Sequence, residues 1–128
     1  MRTPGLSRAL RFLPAAGYAV LVFWLGGRPT LTLPVPALLG WDKLQHALGF
    51  GLMQVLVSLG LVARGWPTGK PSRELLAALL ATAVGGLLEL YQLGVPGRCA
   101  DWLDLLADAV GAALMALVLV AVGRGRRP

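Results

Sequence analysis

The chain has 128 residues, of which 56% are hydrophobic and only 14% are charged, and its mean hydropathy is +0.69. These values exclude an ordinary soluble domain and predict a single integral membrane domain, residues 1–128. The net charge of +6 does not indicate a nucleic-acid partner, because no basic stripe with interleaved aromatic residues accompanies it.

A first apolar segment, approximately residues 12–27, follows a short basic stretch and predicts a transmembrane helix. Pro14 near its start is compatible with a helix, because the first-turn amides have no helical partner. A secretory signal peptide has the same order of basic and apolar residues. However, only Gly26, Gly27 and Arg28 follow the apolar run, and they do not form a small-x-small cleavage site. We therefore favour an uncleaved helix.

Three further apolar segments predict helices at approximately residues 44–63, 73–93 and 100–122. Prolines within residues 28–40, and prolines and glycines within residues 64–73, mark the connections before two of them. The second segment, at ~1.5 Å per residue, is long enough to cross a ~30 Å hydrocarbon layer. Asp42 is a candidate N-cap for the second helix and Ser72 for the third, with Glu74 in the first turn of the third.

The basic residues predict the orientation of this all-α, integral membrane four-helix bundle. Most of the 12 Lys and Arg residues lie in the amino terminus, the middle turn and the carboxyl terminus, and such residues concentrate on the cytoplasmic side. Both termini are therefore expected in the cytoplasm, and the other two loops are expected outside. Every acid except Glu74 lies at or below the outer face. The sequence thus predicts a polar cluster on the extracytoplasmic side.

Acidic residues of the fourth segment share one face. Asp101, Asp104 and Asp108 are spaced i, i+3 and i+7, which places them within a ~60° arc of a helix. Asp42 and His46 are i, i+4 neighbours at the start of the second helix. We expect the polar groups of these helices to meet at one level of the membrane.

Glu89, near the end of the third segment, is expected to point into the bundle. Small residues recur every four positions before it, at 77, 81 and 85, and such a face allows helix backbones to approach closely. Glu89 is the next position on that face, and Gln92 follows three residues later. On the second helix, Gln54 and Ser58 predict an interhelical hydrogen bond.

The depth of these acids leaves two interpretations open. Asp108 lies about 10 Å along the helix from Asp101, where a carboxylate costs roughly 2.5–3.5 kcal/mol unless it is paired, protonated or hydrated. One interpretation is a structural knot of ion pairs, with Arg98, Lys43 and protonated His46 as internal partners. The other is a ligand-binding or catalytic pocket, for which the candidate residues are Asp42, Lys43, His46, Glu89, Gln92, Arg98, Asp101, Asp104 and Asp108.

Metal binding is a further alternative. His46, Glu89, Asp104 and Asp108 offer ligands that suit magnesium, calcium or manganese, and one imidazole does not exclude zinc. A divalent cation is compatible with these residues but not favoured, because their spacing matches no established metal signature. The sequence also offers no activated Ser or Cys nucleophile, so we favour a binding protein over an enzyme.

Three short motifs occur in order at this face. They are Asp42-Lys43-x-x-His46-x-x-x-Phe50, Glu89-x-x-Gln92, and Arg98-x-x-Asp101-x-x-Asp104-x-x-x-Asp108-x-x-Gly111. Their order resembles the VanZ-like membrane family over about residues 42–111. The chain departs from the family pattern at Asp108, where the family usually has asparagine. This departure adds a carboxylate at the deepest position.

The resemblance implies a small multi-pass protein of the bacterial inner membrane with a role in the cell envelope. The member that gives the family its name is linked to low-level teicoplanin resistance. Teicoplanin carries an acyl chain, so the expected partners are membrane lipids, a lipid-linked envelope precursor or a lipoglycopeptide. The leading hypothesis is a module that binds the head group of an amphiphile, with Arg98 and Lys43 at the rim. The rival is a metal-assisted hydrolase or transferase acting on a lipid-linked substrate.

Overall fold

The computed structural model describes residues 9–28, 41–64 and 69–124. In these ranges the chain is helical apart from short turns, which confirms the all-α prediction. A 3-10 turn at Leu10–Phe12 leads into α1 (Leu13–Gly26), and three longer helices follow: α2 (Trp41–Arg64), α3 (Lys70–Gln92) and α4 (Trp102–Arg124). Stretches of α2, α3 and α4 are long and apolar enough to cross a membrane, and the first apolar helix is shorter.

The helices run up and down in alternation. At one end of the molecule Phe12 packs against Gly60 of α2, and at the other Gly26 packs against Leu88 of α3. The central packing is among α2, α3 and α4, with α1 lying against the side of α2 and α3. The start of α2, the end of α3 and the start of α4 therefore share one end of the bundle.

Small residues bring the three long helices close together. Ala77 and Ala81 of α3 and Ala112 of α4 are fully buried, whereas most leucines of these helices are exposed. Lipid chains are as apolar as leucine, so close packing of small residues drives helix association in a membrane. Glu89 continues the Ala77–Ala81–Gly85 face and is only 6% exposed, as its spacing predicts.

Gly111 sets the distance between α2 and α4. A Cβ atom at this position would overlap the backbone of Ala47, and a Cβ at Gly51 would lie 3.4 Å from the Gly111 carbonyl oxygen. The backbones of α2 and α4 are thus in contact at a point where glycine places no side chain between them. Asp108 is three residues before Gly111 and His46 directly precedes Ala47, so this contact brings the two polar side chains together.

Both helix caps that the sequence suggested are wrong. α2 begins at Trp41, so Asp42 lies within its first turn, where its charge favours the positive end of the helix dipole. α3 begins at Lys70 with Gly69 as the N-cap and no side-chain cap, so Ser72 and Glu74 lie further inside the helix than expected. The earlier start has a physical reason: Pro71 needs no amide partner in the first turn, and the Lys70 side chain packs over Gly123 of α4.

Candidate functional site

All nine candidate residues lie at the same end of the bundle. α2 contributes its first two turns, α3 its last turn, and α4 its first two turns, while the loop 93–101 joins the last two helices. Gly97 of this loop adopts φ +79°, a left-handed value that favours glycine, and Arg98 follows directly. We call seven of these residues the acidic cluster: Asp42, Lys43, His46, Glu89, Asp101, Asp104 and Asp108.

Lys43 is the cation at the centre of the acidic cluster. Its Nζ donates to Asp101 Oδ2 at 2.7 Å and also to Asp104 Oδ1. A longer contact of 3.4 Å joins it to Asp42 Oδ2. The Lys43 side chain is only 29% exposed. Its charge is therefore shared among carboxylates of α2, the loop and α4, and is not free at a rim.

Asp101 caps α4 and ties it to α3. Its Oδ1 accepts a hydrogen bond from the Leu103 amide at 2.9 Å, which is the N-cap arrangement. Its own amide donates to Glu89 Oε2 at 2.8 Å. The hydrogen bond from Lys43 holds the pKa of the Asp101 carboxyl below its ordinary value, and the bond from Leu103 acts in the same direction. This aspartate is thus an anion with structural partners on three elements.

His46 joins α2 to the deep carboxylate of α4. Its Nδ1 lies 2.8 Å from Asp108 Oδ1, and its Nε2 lies 3.7 Å from Asp104 Oδ2. Asp108 is fully buried. Its Oδ2 has no hydrogen-bond partner among the described residues and occupies the space next to Gly85, where a Cβ would lie 2.5 Å away. Glycine at position 85 therefore makes room for the carboxylate.

Glu89 and Gln92 stabilise the end of α3 in different ways. Glu89 Oε2 accepts the Asp101 amide, while Oε1 is buried without a partner in the part of the chain that the structure describes. Gln92 is also buried and donates to the carbonyl of Gly26 at 3.4 Å. This bond ties α3 to the end of α1.

A cavity of about 270 Å³ opens beside the acidic cluster, between α1, α2 and α3. Its polar lining residues are Asp42, Gln45, His46, Gln92 and Arg98, and its main apolar lining residues are Tyr18, Val22, Leu25, Phe50 and Leu88. The remaining acids lie behind this wall. The cavity is thus a mixed polar and apolar space, not an acidic pocket.

The lining residues of α1 were not expected from the sequence. Tyr18 and Val22 form part of the cavity wall, and the Tyr18 hydroxyl donates to the Gly49 carbonyl at 3.1 Å. An apolar helix gives no sequence signal that distinguishes a cavity wall from a lipid-facing surface. The hydroxyl group of Tyr18 in an otherwise apolar stretch was the signal available.

Three ligand atoms are close enough together to hold a metal ion. One atom each from Asp42, His46 and Asp104 lies within 4.8 Å of the others. Glu89 and Asp108 fall outside this group, although the sequence suggested them with His46 and Asp104. Carboxylates with one imidazole suit a hard divalent cation. Such an ion would compete with Lys43, which already contacts Asp104.

The burial of a third carboxylate, that of Glu74, was not predicted from the sequence. Glu74 is only 2% exposed, and its Oε1 accepts from Ser58 Oγ at 2.9 Å. Its Oε2 accepts from Gln54 Nε2 at 3.1 Å, and Arg73 Nε lies 3.4 Å from Oε1. The interhelical hydrogen bonding predicted for Gln54 and Ser58 is therefore confirmed. Glu74 lies three residues before Ala77, on the small-residue face, which was the signal for its burial.

Three helices long and apolar enough to cross a membrane, joined at one end by a partly buried network of charged groups, are the features of an α-helical membrane protein. A family model also matches most of the chain. The chain belongs to the VanZ/LLP1 family, whose model matches residues 12–123, so the resemblance seen in the short motifs is confirmed. No curated protein and no solved structure matches the chain.

Proposed function

We propose that this multi-pass protein of the bacterial inner membrane binds the polar head of an amphiphile in the cavity between α1, α2 and α3. The ligand class includes membrane lipids, lipid-linked envelope precursors and lipoglycopeptides. The observation that carries the proposal is the mixed lining, in which Arg98 and Gln92 mark a polar end while Val22 and Phe50 belong to an apolar wall. An amphiphile has the same two parts.

The size of the cavity favours a head group over a whole lipid. At about 270 Å³ it lies just below the range of ~300–1,000 Å³ that is typical of small-molecule sites. A head group with the first part of its chains fits this volume, and the remaining chains stay in the bilayer. The cavity therefore does not need to enclose the whole ligand.

The acidic cluster acts as the support of this site. Lys43 and His46 fix α2 to α4 through the carboxylates of Asp104 and Asp108. His46 also lines the cavity, so ion pairs behind the wall hold a lining side chain in place. Binding sites are most selective when supporting contacts fix the side chains that face the ligand.

A substitution that fills the cavity tests the proposal. Val22 is partly buried and lines the cavity, whereas Val20 of the same helix is 71% exposed and provides the matched control. We expect Val22→Trp to lose a bound phospholipid that native mass spectrometry detects on the purified wild-type protein. Val20→Trp should keep it. If Val22→Trp retains the lipid at the wild-type level, the cavity is not the binding site.

A metal-assisted hydrolase or transferase acting on a lipid-linked phosphate or sugar is the second candidate function. The grouping of Asp42, His46 and Asp104 favours it. These residues would hold the ion, which would lower the pKa of a bound water and polarise the substrate, with Glu89 as general base. Elemental analysis of the purified protein tests it. A stoichiometric divalent ion that Asp42→Asn removes would support it. The absence of such an ion, with no thermal stabilisation by added manganese or magnesium, would remove the metal mechanism.

A further inference from the structure

We propose that the cavity recognises a zwitterionic head group, a phosphate ester that also carries a primary amine, with the phosphate at Arg98 and the amine at Asp42. This inference rests on the proposed function and names the chemical class of its ligand. Two lining residues of opposite charge carry it.

Arg98 is the cationic lining residue with donors available for an anion. Its Nε donates to the carbonyl of Arg28 at 3.2 Å, which fixes the side chain and leaves the terminal amino groups for other acceptors. Within residues 9–28, 41–64 and 69–124 no carboxylate lies within ion-pair distance of Arg98, in contrast to Lys43. The planar guanidinium matches the geometry of phosphate oxygens.

Arg28 supplies the backbone acceptor that helps to fix Arg98. Arg28 stacks on the Trp24 ring, with its central carbon 3.6 Å from the ring centroid, and its carbonyl is the acceptor for Arg98. The stacking on Trp24 orders Arg28, and its carbonyl in turn holds Arg98, which is the arginine among the lining residues of the cavity.

Asp42 is the carboxylate with charge available for a cation. Lys43 makes its closer contacts with Asp101 and Asp104, and its contact with Asp42 is long, at 3.4 Å. The Asp42 side chain is 64% exposed and lines the same cavity as Arg98. A primary amine that enters the cavity thus finds an acceptor whose charge is only weakly compensated.

The opposite charges of Arg98 and Asp42 disfavour head groups that carry only one charge. A head group with phosphate alone satisfies Arg98 but brings negative charge towards Asp42. A cationic head group without phosphate meets the reverse problem at Arg98. Specific sites use such repulsion as well as attraction, and a head group with both charges satisfies the two residues together.

Three lipids with the same acyl chains test the inference by native mass spectrometry with EDTA present. Phosphatidylethanolamine carries both charges, phosphatidylglycerol carries only the phosphate, and diacylglycerol carries neither. We expect binding to the wild-type protein to decrease in that order, by about tenfold for the loss of one charge-assisted contact. Equal or tighter binding of phosphatidylglycerol would overturn the amine contact, and equal binding of diacylglycerol would overturn the phosphate contact.

Substitutions at Arg98 and Asp42 assign the charges to residues. Arg98→Gln should bind phosphatidylglycerol no better than diacylglycerol, and Arg98→Lys should restore part of the difference. Asp42→Asn should lose the preference for phosphatidylethanolamine over phosphatidylglycerol while still binding both, so its phosphatidylglycerol binding shows that the variant is folded. Wild-type preferences in Arg98→Gln and Asp42→Asn would overturn the assignment.

Two cavity variants and a competition experiment distinguish this inference from the proposed function. Val22→Trp should lose all three lipids, and Val20→Trp should lose none. If lipid binding survives Val22→Trp, the proposed function fails. If binding is lost there but the wild-type protein does not distinguish the lipids, only the head-group inference fails. Water-soluble phosphoethanolamine should not displace the lipid at equal concentration, and displacement would show that the ligand is a free phosphate ester, not an amphiphile.

Discussion

At the scale of single residues, the two oxygens of Asp108 lie in different environments. Oδ1 pairs with His46 at 2.8 Å, while Oδ2 is buried against Gly85 without a hydrogen-bond partner among the described residues. Only one half of the side chain thus contributes a specific contact. An asparagine at this position can keep that contact through its carbonyl oxygen.

We therefore expect Asp108→Asn and Asp108→Ala to differ. Asp108→Ala leaves the His46 imidazole without its partner, which costs roughly 1–3 kcal/mol, and opens a cavity that lowers the free energy of unfolding further. Asp108→Asn keeps the hydrogen bond to His46 and should cost about 1 kcal/mol. Unfolding of both variants in the same detergent measures the difference. Equal losses would show that the charge, not the hydrogen bond, holds α2 to α4.

Asp101 predicts how stability depends on pH. Because the hydrogen bond from Lys43 lowers the pKa of this carboxyl in the folded protein, the bond contributes fully above the pKa of the unfolded chain. The contribution decreases as the pH falls from the ordinary value of 3.8 through the lowered folded value. We expect the melting temperature of the wild-type protein to fall more steeply over this range than that of Asp101→Asn. Parallel curves would contradict a role for this pair.

At the scale of helices, the substitution Gly111→Ala tests the close contact between α2 and α4. A methyl group at this position overlaps the Ala47 backbone, so Gly111→Ala should force the helices apart and weaken the contact between His46 and Asp108. Overpacking of this kind costs typically ~1–3 kcal/mol. The melting temperature in detergent measures the loss.

Gly86→Ala is the matched control for that helix contact. A Cβ at Gly86 meets only Leu105 Cδ1, at 3.9 Å, and alanine favours a helix over glycine by ~1 kcal/mol. This variant should be as stable as the wild-type protein or more stable. If both substitutions have the same effect, glycine at 111 serves helix propensity and not the close approach of backbones.

The periodicity of the sequence predicted the inward faces of some helices and not those of others. The four-residue spacing that ends at Glu89 revealed the inner face of α3, and the spacing of Asp101, Asp104 and Asp108 revealed that of α4. The cavity could not be predicted, because its α1 wall consists of residues such as Val22 that look the same facing lipid. The burial of Glu74 was missed, since its acceptor contacts with Gln54 and Ser58 depend on where two helices cross. Lys43 was placed at a rim because sequence spacing does not show which carboxylates surround a cation.

At the scale of the whole molecule, α2 is fixed by polar contacts at two levels. Lys43 and His46 hold its beginning to α4, and Gln54 and Ser58 hold its second half to Glu74 of α3. Buried hydrogen bonds between transmembrane helices define their relative rotation as well as adding stability. The cavity wall that α2 contributes is consequently held from both sides.

Orientation in the membrane follows from the distribution of positive charge and remains a prediction that Cys99 can test. This single cysteine is exposed in the loop 93–101, at the same end as the acidic cluster, and the concentration of Lys and Arg at the opposite end predicts that it faces outward. In intact spheroplasts a membrane-impermeant maleimide should therefore label Cys99. The exposed Gly69 lies at the other end of the bundle, so a protein with Cys99→Ser and Gly69→Cys should be labelled only after the membrane is disrupted. The reverse pattern would place the cavity on the cytoplasmic side, where a ligand of the inner leaflet, not a lipoglycopeptide arriving from outside, would reach it.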